Sequence, residues 1–168
     1  LVVVDARGRQ RFFRLADASV AEALEQLGRL CPTTEVASLR RSREQRDLAR
    51  ARLCYDHLAG RLGVGVAEAW VASGWLVGPD LDLTDRGAVA IVDWGLDVPA
   101  LARGRRPLTR ACPDWTERRP HLAGALGAAL ARGLVERGWV RRRRGGRGLD
   151  VTPLGEDGLR ESWGVEPA

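Results

Sequence analysis

Cys54-Tyr55-Asp56-His57 and Cys112-Pro113-Asp114-Trp115, the latter followed by His121, bring a thiol, a carboxylate and an imidazole together twice in 168 residues. Sulfur and imidazole nitrogen are the donors that zinc and similar ions take, and four of them would complete a tetrahedral site if the two clusters met. The metal candidates are therefore Cys54, His57, Cys112 and His121. Two features weigh against ligation. Cys-x2-His alone is an unspecific pattern, and the Cys-to-His spacing is three residues in one cluster and nine in the other. A buried cysteine also behaves as a small hydrophobe, and Asp114-x-x-Glu117 has the spacing of a helix capping box. His121 follows Pro120 in what reads as a first helical turn, where the macrodipole disfavours imidazolium and a neutral ring is expected. No cofactor is the default expectation, with a bound metal as the alternative.

The elements that would position these groups occur twice. Residues 57–76 and 121–140 align at a constant offset of 64, matching His57 with His121, Leu58 with Leu122, Gly60 with Gly124, Leu62 with Leu126 and Trp75 with Trp139. Leu81-Asp82-Leu83-Thr84-x-x-Gly87 then recurs as Leu149-Asp150-Val151-Thr152-x-x-Gly155, and Trp94-Gly95-Leu96-Asp97 as Trp163-Gly164-Val165-Glu166. Conserved order over such a length indicates one fold used twice.

Each repeat predicts a helix with a large apolar stripe (Leu58, Leu62, Val66, Trp70; Leu122, Leu126, Leu130, Leu134) and a row of small residues four apart. The small rows are Ala59, Gly63, Ala67 and Ala123, Gly127, Ala131, and they would let the two helices pack closely on each other. A short hairpin follows each helix, turning at Gly78-Pro79-Asp80 and at Gly145-Gly146. Thr84 and Thr152 sit where an N-cap belongs, Pro153 takes the first helical position, and Gly95 and Gly164 close the last helices. Trp75, Trp94, Trp139 and Trp163 fall at repeated positions and read as core. Trp70 and Trp115 have no twin, so they join Cys54, Asp56, His57, Cys112, Asp114 and His121 as the candidate effector pocket.

Ahead of the repeats, Leu1 to Val4 and Gln10 to Leu15 read as a hairpin. Asp17 can cap a helix over 18–30 whose stripe is Val20, Leu24 and Leu27. LVVVDARGRQRFFRLAD followed by SVAEALEQLGRL resembles the wing hairpin and next helix of ArsR/SmtB-type winged-helix transcriptional regulators. RLCYDHLAGRLGV and CPDWTERRPHLAGALGAAL resemble the extended C-terminal region of a longer subfamily of that type. In that family the recognition helix lies just upstream of the wing, and the helix after the wing helps form the dimer. The resemblance therefore implies DNA binding through an N-terminal part absent from these residues, a homodimer, and Arg7, Arg9 and Arg11 as wing contacts to DNA.

Bulk composition narrows the class further. Net charge is +5 with three cysteines and no lysine, asparagine or methionine, so the arginine excess most simply reflects a GC-rich genome. An odd cysteine count without a signal sequence leads to the expectation of a reduced, cytoplasmic protein. No apolar run approaches the ~20 residues that cross a bilayer. No phosphate-cradling loop, nucleophile elbow or hydrolase His pair is present, so an enzyme is not expected.

The expected architecture is mainly α with short β-hairpins: a winged-helix remnant followed by two tandem winged-helix-like lobes. The boundaries read as 1–31 for the wing hairpin and dimerisation helix, 32–42 for a linker, 43–98 for the first repeat and 99–168 for the second. The expected function is an ArsR-like DNA-binding transcriptional regulator, this region being its effector-sensing or assembly part and a small molecule or metal its effector. The alternative is a ligand-free dimerisation or partner-binding module.

Overall fold

A computed structural model describes residues 1–8, 10–31, 39–144 and 146–166. Each strand among them pairs antiparallel with its neighbour in the chain, giving two-stranded ribbons set between helices. The first ribbon pairs β1 (Val2–Arg7) with β2 (Gln10–Leu15), and helix α1 (Ala18–Leu30) follows. Asp17 caps that helix as expected, its carboxylate accepting from the Val20 amide at 3.1 Å.

The inward face of α1 differs from the expected stripe. Ala21 and Glu25 are buried, whereas Leu24 and Leu27 are 51% and 58% exposed. Trp115 and two arginines decide this orientation. A Cβ at Gly28 would lie 3.2 Å from the Trp115 side chain, a tight contact that glycine relieves where the helix approaches the ring. Glu25 meets Arg147 at 2.9 Å and Arg52 at 3.6 Å. A charged residue thus holds the inner face, and the leucines turn outward.

Residues 32–38 of the expected linker lie outside the described residues, and residues 39–42 belong to helix α2 (Leu39–Arg50). Next come β3 (Arg52–Cys54), β4 (His57–Ala59), α3 (Gly60–Ala72), β5 (Leu76–Val77), β6 (Asp82–Leu83), α4 (Asp85–Asp93) and the short α5 (Val98–Ala102). The same order returns in β7 (Arg110–Pro113), β8 (Pro120–Ala123), α6 (Gly124–Glu136), β9 (Val140–Arg142), β10 (Leu149–Val151) and α7 (Pro153–Trp163). Thr84 and Thr152 each accept from a glycine amide three residues on, at 3.0 Å in both halves, and each donates its hydroxyl to the carbonyl that ends the preceding helix turn.

Two local expectations are corrected. His57 and His121 do not open the repeat helices but lie in strands β4 and β8, and each helix begins afterwards at a glycine in the left-handed region, Gly60 (φ 77) and Gly124 (φ 85). A side chain there would collide with backbone: a Cβ at Gly60 would stand 2.7 Å from the Ala49 carbonyl oxygen, and at Gly124 2.6 Å from that of Leu108. Glycine is what permits the turn from strand to helix.

The small rows also have a different use. Gly63 faces the carbonyl of its own Leu58 and the Cβ of His121, and Gly127 faces the carbonyl of Leu122 and the Cβ of His57. Helix α3 packs on β8 and α6 packs on β4, so each small row receives the other half's ribbon rather than the opposite helix. Leu53, Leu58, Leu62, Leu122, Leu126 and Leu130 belong to one continuous apolar cluster spanning both halves. A second seam lies in the tryptophans: Trp163 contacts Trp70, Trp94 and Trp139 with ring centroids 5.2 to 5.9 Å apart. A third is backbone, where the Leu53 amide donates to the Arg147 carbonyl and the Leu149 amide to that of Ala51.

Candidate functional site

The two ribbons that precede the repeat helices bring the singled-out cysteines and histidines together. In β3–β4 the residue opposite Cys54 is His57, and in β7–β8 the residue opposite Cys112 is His121. The unequal spacing in sequence is therefore only a difference in loop length, since strand register pairs a cysteine with a histidine in both ribbons. Each connecting loop holds a non-glycine residue at positive φ, Tyr55 (60) and Arg118 (56). Such backbone is uncommon for a residue with a side chain and persists where surrounding structure holds it.

Packing β4 and β8 together places the donor atoms of Cys54, His57, Cys112 and His121 all within 4.8 Å of one another. The two sulfurs are 4.0 Å apart as free thiols, and the two imidazole centroids 5.1 Å apart. All four side chains are buried.

A carboxylate stands behind each imidazole. Asp56 Oδ1 lies 3.3 Å from His57 Nδ1, and Asp114 Oδ2 lies 3.3 Å from His121 Nδ1. Arg106 holds Asp56 through both of its terminal guanidinium nitrogens, Nη1 and Nη2. Asp114 is fully buried and holds more: it accepts from Arg52 Nη2 at 2.9 Å, from the Gly60 amide at 2.7 Å, and from the amides of Thr116 and Glu117. The expected capping box is thus a turn within the β7–β8 loop, and Asp114 caps a helix of the other half instead. His57 Nδ1 is hydrogen-bonded to Asp56, which leaves Nε2 as the free nitrogen of that ring, whereas His121 Nδ1 lies beside Asp114 without a hydrogen bond, so neither nitrogen of the second ring has a partner among the described residues. Both Nε2 atoms are buried and have no hydrogen-bond partner among the described residues. An unpartnered buried polar atom costs about 1 to 3 kcal/mol, so two of them at one point need a reason.

Electrostatics follow from this layout. Burial raises the Asp114 carboxyl, but His121 and Arg52 outweigh it and hold it well below the usual carboxylate range. Asp56 behaves alike, with burial opposed by His57 and Arg106. The Cys54 thiol is pushed up to about 12 by its contact with Cys112 and by burial, while Cys112, accepting that contact, is lowered. Burial works against a charge on His121, yet Asp114 and the Cys54 sulfur raise its pKa above the ordinary value. The helix-start macrodipole invoked for His121 does not act on it, because the ring lies in strand β8 beside a carboxylate.

The remaining pocket candidates separate. Trp70 is buried against Trp75 and Trp163, away from the cysteines, and serves the core. Trp115 covers Arg52, whose guanidinium carbon sits 5.1 Å from the ring centroid, and lines a cleft of about 750 Å³ with Leu24, Leu53, Tyr55 and Arg147. Of the wing arginines, Arg7 ends β1, Arg11 is exposed on β2, and Arg9 lies outside the described residues. Arg52 escaped the sequence reading altogether. In a chain whose basic residues are all arginine, nothing marks one of them as buried; its twin at the same ribbon position, Arg110, pairs with Glu22 instead.

A hairpin followed by an amphipathic helix and a doubled ribbon–helix body is joined by clear sequence kinship: the chain belongs to the helix-turn-helix (HTH) type transcriptional regulators. Over 158 residues it is 40% identical to YdfF, an uncharacterized HTH-type transcriptional regulator of Bacillus subtilis (strain 168), the alignment covering 93% of this chain and 70% of the relative. No family model and no solved structure matches the chain.

Proposed function

We propose that this chain is the effector-sensing or assembly region of an ArsR-like, DNA-binding transcriptional regulator that works as a homodimer. The observation that carries the reading is the outward face of α1. Directly after the wing-like ribbon, the helix shows Leu24, Leu27 and Leu30 to solvent, and Phe13 on β2 is exposed as well. Apolar side chains grouped on one helix mark an interface rather than a solvated face. Kinship with an HTH-type regulator supports the DNA-binding part. The repeated order of ribbon, helix, ribbon and helix supports two winged-helix-like lobes in the body, serving assembly rather than base reading.

In the family it resembles, the base-reading helix precedes the wing. These 168 residues should therefore bind DNA weakly and without sequence preference, through phosphate contacts from Arg11 and its wing neighbours. Fluorescence anisotropy against promoter-derived and scrambled duplexes tests this. Equal affinities that fall steeply with salt are expected. A tenfold or greater preference for one duplex at physiological salt would show that this region reads bases. The rival ligand-free module is separated by a thermal-shift screen of small molecules, since a ligand at 100 times its Kd adds about 2.7 kcal/mol.

A further inference from the structure

We propose that Cys54, His57, Cys112 and His121 form a closed, tetrahedral Cys2His2 site for a borderline-soft divalent ion of the zinc class, which clamps the two halves of the chain together. The site stands on its own geometry, independent of the regulator reading.

Three observations lead to it. The first is distance. Tetrahedral zinc with bonds of about 2.3 Å to sulfur sets two thiolates roughly 3.8 Å apart. Cys54 and Cys112 stand at 4.0 Å, and all four donors fall within 4.8 Å. The second is orientation. Both imidazoles have a carboxylate 3.3 Å from Nδ1, hydrogen-bonded to His57 and in ion-pair contact with His121, and a carboxylate behind the ring is the arrangement that turns Nε2 toward a metal. Each carboxylate is in turn fixed by arginine, Asp56 by Arg106 and Asp114 by Arg52. Those two Nε2 atoms are buried without partners, and an ion would satisfy both at once.

The third is charge. A divalent cation with two thiolates and two neutral imidazoles sums to zero, and each carboxylate behind them is matched by its own arginine. A buried centre of no net charge is what an apolar surrounding tolerates. Binding displaces the thiol protons of Cys54 and Cys112, which leave to solvent as the two metal–sulfur bonds form. Four protein donors leave no position for a substrate, which marks the site as structural rather than hydrolytic. Sulfur and imidazole also exclude magnesium and calcium, which take oxygen.

Cobalt(II) titration of the reduced, chelator-stripped chain is the test. One equivalent per chain should give the intense visible absorption of tetrahedral, thiolate-ligated cobalt, and one equivalent of zinc should displace it. Asp56→Asn, which leaves all four ligands in place, should keep the spectrum while weakening affinity roughly 10- to 100-fold. Cys112→Ser alone should weaken the sulfur-to-cobalt band and the Cys54→Ser, Cys112→Ser double variant should abolish it, with circular dichroism showing whether each variant is folded. A wild-type spectrum of the pale octahedral kind, or uptake without a sulfur band, would overturn the proposal. So would a reduced protein that takes up no metal but oxidises to a Cys54–Cys112 disulfide, seen as a loss of two hydrogens in intact mass.

Discussion

Asp114 is the residue on which most of the site converges, for it touches His121, Arg52 and the first amide of α3 from within one buried turn. Its partner Arg52 has a fully buried side chain. Removing one member of such a pair strands the other charge without water, which costs about 3 to 5 kcal/mol, far above the ~0 to 1 kcal/mol of an exposed ion pair. Arg52→Ala should therefore lower unfolding free energy by about 3 kcal/mol or more in urea titration, whereas Arg119→Ala, whose pair with Glu68 is half exposed, should change it by less than about 1 kcal/mol. Comparable losses in both variants would mean that the buried network does not stabilise the fold. The side chains of the cluster were legible from type alone, since thiol, imidazole and carboxylate recur together. What the spacing concealed was their register, because two intervening residues in one ribbon and eight in the other can separate the same cross-strand pair.

Among the elements, those with strong end signals were read correctly. Asp17, Thr84 and Thr152 cap helices where their side chains can reach an amide three residues on. The ribbons at 52–59 and 110–123 were not legible. Three or four residues give too little alternation to show a period of two, and buried strands such as His57-Leu58-Ala59 run straight into the apolar pattern of the following helix. The same ribbons explain the glycines of α3. A Cβ at Gly63 would stand 2.6 Å from the Leu58 carbonyl oxygen, while one at Gly65 would meet only Val165 at an ordinary 3.6 Å. Gly63→Ala should thus destabilise by overpacking, roughly 1 to 3 kcal/mol. Gly65→Ala should be neutral or stabilising by up to about 1 kcal/mol through helix propensity. Thermal denaturation of the two variants decides it. Equal effects would show that α3 does not press on its own ribbon.

Across the whole molecule, the two halves share one apolar cluster, a tryptophan group and backbone hydrogen bonds from β3 to the strand end at Gly148, so they form a common body. That body leaves α1 with its leucines outward. Their helical spacing was plain in the sequence, but which face the helix would bury depended on Trp115 and Arg147, distant in the chain and with nothing in the sequence to tie them to α1. Since α1 leaves Leu24, Leu27 and Leu30 exposed, the proposed dimer would bury them against a second copy, and replacing leucine by glutamate there would place charge in that interface. Sedimentation equilibrium at tens of micromolar tests the reading of this chain as the assembly region of a dimeric regulator. The account predicts a mass of twice the 18.3 kDa chain, reverting to that of a single chain in the Leu24→Glu, Leu27→Glu double variant. A single-chain mass for the unaltered protein at that concentration would contradict it.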